Sequence, residues 1–105
     1  MSRQRLTIPR KKIAEFCRRR KVVEFSLFGS ILREDFRPDS DVDVLITFSP
    51  DARVSLFDLV EMQDELKAIF KREVDLIEKQ AIIESKNYIR RNSILENTRV
   101  VYAQG

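Results

Sequence analysis

Glycine is nearly absent from this 105-residue sequence, occurring as Gly29 and as the final Gly105. Gly29 is therefore the one internal point where glycine's backbone freedom is available. The single cysteine, Cys17, excludes an intramolecular disulfide, and one thiol cannot assemble a metal site. Its place on the apolar stripe of a helix reads as a small buried hydrophobe. No apolar stretch approaches the roughly 18 residues that a membrane span requires. The basic start MSRQRLTIPRKK has no apolar core of the kind a secretory signal needs, so a cytoplasmic protein is expected. Repeats, linkers and low-complexity segments are also missing, and the length suits one domain over residues 1–105.

What is present is a strongly patterned chain. Hydrophobic residues make up 43% and charged residues 35%, the balance of a folded rather than a disordered protein. The net charge of +3 hides an asymmetry: residues 1–21 carry nine Lys or Arg against the single acid Glu15. A basic end of this kind suits a polyanion such as nucleotide phosphates, RNA or an acidic protein. It equally suits the solvated face of an amphipathic helix.

Helical and strand periods alternate along the chain. A first helix is expected from about Pro9 to Arg20, with Ile13, Phe16 and Cys17 as its apolar stripe. VVEFSLF (Val22 to Phe28) and VDVLITF (Val42 to Phe48) are rich in β-branched and aromatic residues and read as strands. Between them, ILRED suits a helical turn and FRPDSD a loop. Ser55 and Asp58 resemble a capping box that opens a second helix. Its expected apolar face is Leu56, Leu59, Val60, Gln63, Leu66, Ile69 and Phe70. EVDLI (Glu73 to Ile77) reads as a third strand, Lys79 to Asn97 as weakly helical, and TRVVYA as a last strand. The alternation indicates an α/β or α+β domain.

Three features carry chemistry. Gly29-Ser30 closes a strand with a turn whose free N–H groups suit phosphate oxygens, although such a pair is often only a turn. Asp41 and Asp43 stand two apart at the head of a strand, so both project to one face while Val42 and Val44 face the core. Two adjacent carboxylates repel, and a divalent cation such as Mg²⁺ resolves the repulsion; a hydrated strand edge would tolerate it too. Asp75, between Val74 and Leu76, leaves the core side of its own short strand. If that strand lies beside the second, three carboxylates join around a phosphate-holding turn, as a two-metal phosphoryl-transfer site requires. Taken alone, Asp75 reads more readily as a surface residue at a strand end.

Together these residues resemble a known family. LFGSILREDFRPDSDVDVLI has the order apolar residue, Gly, Ser, a gap of about ten, then Asp, apolar, Asp, which is the signature of the polymerase-β-like nucleotidyltransferases. It is similar in detail to the minimal nucleotidyltransferases, and SLFDLVEMQDELKAIFKREVDLI matches their helix and third-aspartate strand. The resemblance implies a small mixed β-sheet flanked by helices in a single domain. It implies an antitoxin that moves AMP from ATP onto a tyrosine of a cognate HEPN-domain toxin ribonuclease. Carried over by position, Gly29, Ser30 and Arg33 hold the triphosphate, and Asp41, Asp43 and Asp75 bind two Mg²⁺ ions. Asp75 is also the base toward the incoming hydroxyl. Glu34 departs from the glycine common after this arginine, while Arg37 and Ser40 fall in the same loop.

Two other function classes stay open at this level. One is a non-catalytic antitoxin that neutralises its partner by occlusion, docking through the basic first helix and the apolar second helix. The other is nucleotide transfer to a small molecule or an RNA end, with direct RNA binding through the basic start.

Overall fold

The computed structural model describes residues 8–29 and 41–104. Its elements run α1 (Arg10–Arg20), β1 (Val22–Phe28), β2 (Val42–Phe48), α2 (Leu56–Phe70), β3 (Val74–Glu78), α3 (Lys79–Ile83), α4 (Tyr88–Glu96) and β4 (Thr98–Ala103). Both long strands and the last strand occupy their expected residues. The weakly helical stretch resolves into two helices, and β3 sits one residue later than its sequence pattern suggests. The expected turn and loop between β1 and β2 lie outside the described residues.

Among the described residues the strands form one four-stranded mixed sheet in the order β3-β2-β1-β4. β1 is central and antiparallel to both β2 and β4. β2 and β3 run parallel, which α2 makes possible by carrying the chain back across the sheet.

Side-chain alternation assigns the two faces. Val42, Val44 and Ile46 of β2 join Phe25 and Leu27 of β1 in a core covered by Ile13, Phe16 and Cys17 of α1 and Met62, Leu66 and Phe70 of α2. The Phe16 and Phe25 rings meet edge to face, with centroids 6.3 Å apart. Phe28 and Leu45 point the other way, into a smaller cluster with Ile82 of α3 and Ile94 of α4. The result is a helix–sheet–helix sandwich. Cys17 is fully buried, and loss of solvation pushes its thiol up to about 12 against a smaller lowering by Arg18. It is packing, as its stripe position suggested.

The buried face of α2 differs from the expected one. Met62, Leu66 and Phe70 are buried with Leu59 and Ile69 beside them, whereas Leu56 is 80% exposed and Val60 63%. Val60 lies roughly 160° round the helix from Met62, too far to share its contact line. Leu59, Leu66, Ile69 and Phe70 of the expected face do turn to the core, but apolar residues crowd both sides of the first turns, so periodicity alone adds Leu56 and Val60 and misses Met62. The expected cap is correct: Ser55 N–H donates to Asp58 Oδ2 at 2.9 Å, and Asp58 N–H donates to Ser55 Oγ at 3.2 Å.

The basic end of α1 is used inside the fold. Arg19 Nη1 reaches Glu65 Oε2 at 2.6 Å, Arg20 Nε donates to Glu65 Oε1 at 2.8 Å, and Arg20 also pairs with Glu61. Lys21 pairs with Asp51 at 3.6 Å. A good part of the apparent polyanion-binding charge therefore clamps α1 to α2 and to the turn before it.

Candidate functional site

The site is built at the ends of β1, β2 and β3. Asp43 alternates with Val42 and Val44, which places it on the face occupied by Leu45 and away from the main core. In the parallel register Asp43 is partnered by Asp75, so the two carboxylates leave neighbouring strands toward the same face. Ile77, two residues on, packs with the smaller cluster on that face. Asp41 precedes the first residue of β2 and is exposed.

Electrostatics record the crowding. The Asp43 carboxyl is held above its ordinary value, chiefly by desolvation, then by the charge of Asp75 and then by that of Asp41. The charges of Asp75 and Asp41 thus both reach Asp43. Asp43 and Asp75 are brought side by side, while the exposed Asp41 contributes the smaller charge effect from just before β2. Among the described residues, no three acidic side chains gather into a ready-made cation cage. The donor set nonetheless fits a hard divalent cation, since a partly desolvated carboxylate pair is relieved by positive charge and Mg²⁺ needs only one or two carboxylates when phosphates and water complete its shell.

Gly29 closes the same corner. Its φ of +78° lies in the left-handed region, and a Cβ there would collide with Asp43 Oδ2 and come within 3.1 Å of its Cγ. The scarce glycine is spent where the chain needs both an unusual backbone and contact with a carboxylate. Ser30, Arg33, Glu34, Arg37 and Ser40 lie outside the described residues.

Opposite the carboxylates stands a wall that the sequence pattern did not reveal. Gly29, Asp43 and Asp75 line one side of a cleft of about 870 Å³, and α4 with its flanks supplies Asn87, Arg90, Ser93, Asn97 and Thr98 on the other. The only trace in sequence is polar residues at spacings of three and four, Asn87-Arg90-Ser93-Asn97, on a helix anchored by Ile94. Asn87 caps this helix, its Oδ1 accepting from Arg90 N–H at 3.1 Å. An acidic floor facing a polar and basic wall suits an anion carried with a cation, the chemistry of a metal-bound nucleotide. No described helix is long and apolar enough to cross a membrane.

Comparisons agree with this geometry. Residues 10–101 match the nucleotidyltransferase domain family. The Thermococcus cleftensis protein adenylyltransferase MntA is 35% identical over 77 residues, covering 73% of each chain. A toxin–antitoxin crystal structure with AMP-PNP superposes with a TM-score of 0.70 at 17% identity, covering 92% of this chain and 75% of that one. A Shewanella oneidensis complex of a tri-AMPylated HEPN toxin with an MNT antitoxin gives 0.61 at 16% identity, covering 90% and 70%. These last two likenesses speak for the fold. With its carboxylate pair on parallel strands, its glycine turn beside them and a match spanning nearly all of the sequence, the chain belongs to the nucleotidyltransferase domain family.

Proposed function

We propose that the chain is an antitoxin-type protein adenylyltransferase that moves AMP from ATP onto a tyrosine of a HEPN-family toxin ribonuclease and so silences it. The observation that carries this reading is the register pairing of Asp43 with Asp75 beside Gly29, at the floor of a cleft of nucleotide size. The activity named for the archaeal relative and the AMPylated toxin of the Shewanella complex support the acceptor class. In this reading residues 1–105 act as one catalytic domain in the cytoplasm.

Asp41, Asp43 and Asp75 would hold two Mg²⁺ ions, whose charge would neutralise the triphosphate and the pyrophosphate as it leaves. By position in the family motif, Gly29, Ser30 and Arg33 would hold the triphosphate. Asp75 accepts the phenolic proton. The tyrosine oxygen bonds to the α-phosphorus as the bond from that phosphorus to the bridging oxygen breaks, releasing pyrophosphate.

Incubation with labelled ATP, Mg²⁺ and a HEPN toxin tests the proposal. Label is expected on the toxin and is lost with the toxin's acceptor tyrosine. Failure of wild-type protein to transfer label, or equal transfer by Asp41→Ala/Asp43→Ala, would refute it.

Neutralisation by occlusion has one observation in its favour. Leu56 and Phe57, both at least 80% exposed, offer an apolar docking surface on α2. Full growth rescue by a variant lacking all three aspartates would select occlusion over catalysis. Transfer to RNA ends draws less support, because Arg19, Arg20 and Lys21 are paired with Glu65, Glu61 and Asp51 of the same chain.

A further inference from the structure

Two successive arginines on α4 have different fates. Arg91 is committed within the fold: its guanidinium lies 4.8 Å from the centroid of the Tyr88 ring, and its Nη1 donates to Ile83 O at 3.5 Å. Arg90 stands one turn before the buried Ile94, on the same side of the helix, and lines the cleft with Asp43 and Asp75. Among the described residues its guanidinium has no acidic partner, and no salt bridge joins it to either aspartate across the gap. Its backbone is nevertheless well placed, because Asn87 Oδ1 accepts the Arg90 N–H and sets the start of the helix.

A cation facing two carboxylates without pairing to them leaves room for something between. A metal-bound polyphosphate meets both walls at once: its metal side answers the carboxylates, and its outer oxygens answer a planar guanidinium, which binds phosphate bidentately. We infer that Arg90 is a phosphate-binding residue of this site, holding non-bridging oxygens of the nucleoside triphosphate from the wall opposite Asp43 and Asp75. The inference rests on the nucleotide-transfer reading and adds to it a residue far in sequence from the Gly-Ser turn. It assigns α4 a role in substrate binding as well as in packing.

Calorimetric titration of the intact protein with Mg²⁺ and a non-hydrolysable ATP analogue, with inorganic tripolyphosphate and with adenosine provides the test. Arg90→Ala should weaken the analogue and tripolyphosphate by about tenfold or more and leave adenosine unchanged. Arg90→Lys should recover part of the loss, since charge is kept but the planar fork is not. Arg91→Ala should bind all three ligands as wild type does. Unchanged analogue binding in Arg90→Ala, or an equal loss in Arg91→Ala, would overturn the assignment while leaving the nucleotidyltransferase reading standing. Wild-type protein that binds no nucleotide would instead sink that reading and this inference with it. Thermal unfolding of Arg90→Ala should match wild type, because the side chain is exposed; a drop of several degrees would mean a structural role and overturn the assignment.

Discussion

Gly29 lies against the carboxylate of Asp43 so closely that a single methyl group would displace it. Gly29→Ala therefore combines a left-handed backbone penalty with a forced shift of Asp43. Destabilisation of about 1–3 kcal/mol is expected from the backbone alone. A shift of the order of 1 Å in a reacting group should cost transfer about a hundredfold. Chemical denaturation and a transfer assay on the same preparation separate the two, and wild-type activity in this variant would show that Asp43 is not held by the turn.

Asp43→Asn should separate folding from function in the opposite sense. The folded carboxyl is raised above its ordinary value by burial, Asp75 and Asp41, so its charged form is disfavoured in the fold. Its contribution to stability is present at low pH and is lost as pH rises through the raised value. Asparagine keeps the uncharged form at every pH. The variant should melt at or slightly above the wild-type temperature at neutral pH without added metal. Mg²⁺ should raise the melting temperature of wild type but not of the variant. A large loss of thermal stability would mean that the carboxylate is structural.

Glu65 provides an acid-sensitive contact outside the site. Burial would raise its carboxyl, but hydrogen bonds from Arg20 and Arg19 outweigh this and hold it below its ordinary value of 4.5. A depressed carboxyl gives stability that is complete above the unfolded value and lost as pH falls through the folded one. Glu65→Gln should cost about 1 kcal/mol at neutral pH, a magnitude between those of surface and buried pairs. The gap between variant and wild type should shrink progressively below about pH 4.5, as followed by urea unfolding across a pH series. A gap independent of pH would show that packing, not charge, holds α1 to α2.

Lys71 closes α2 with φ 58°, a left-handed cap usually given to glycine. A non-glycine residue pays roughly 1–2 kcal/mol for this conformation, and glycine returns about half of that through its looser unfolded chain. Lys71→Gly should thus stabilise the protein by about 0.5–1 kcal/mol in denaturant unfolding and leave transfer activity unchanged. A loss of stability would indicate that the lysine side chain holds the cap by its own contacts.

Local chemistry made several parts of this protein legible in sequence. Val22–Phe28 and Val42–Phe48 announce themselves as strands because β-branched and aromatic side chains fill a pleated surface better than a helix. Ser55 and Asp58 announce the start of α2 because both hydrogen bonds of the cap are made within one turn. The same locality marks Asp41 and Asp43 as candidates, although only Asp43 falls within β2. Leu56 and Val60 mislead for a related reason, since an apolar residue reports that burial is possible and not which neighbour will arrive to provide it.

By itself, then, the sequence determined where helices and strands form, which residue types could hold metal and phosphate, and that glycine was kept for the turn at the end of β1. Tertiary structure alone decided that β3 pairs parallel to β2 with Asp75 beside Asp43, that α2 buries Met62, and that Arg90 faces the carboxylates across the cleft. Those outcomes depend on register and on packing between segments distant in the chain. Such contacts are selected by the total surface buried rather than by any spacing that a local pattern can show.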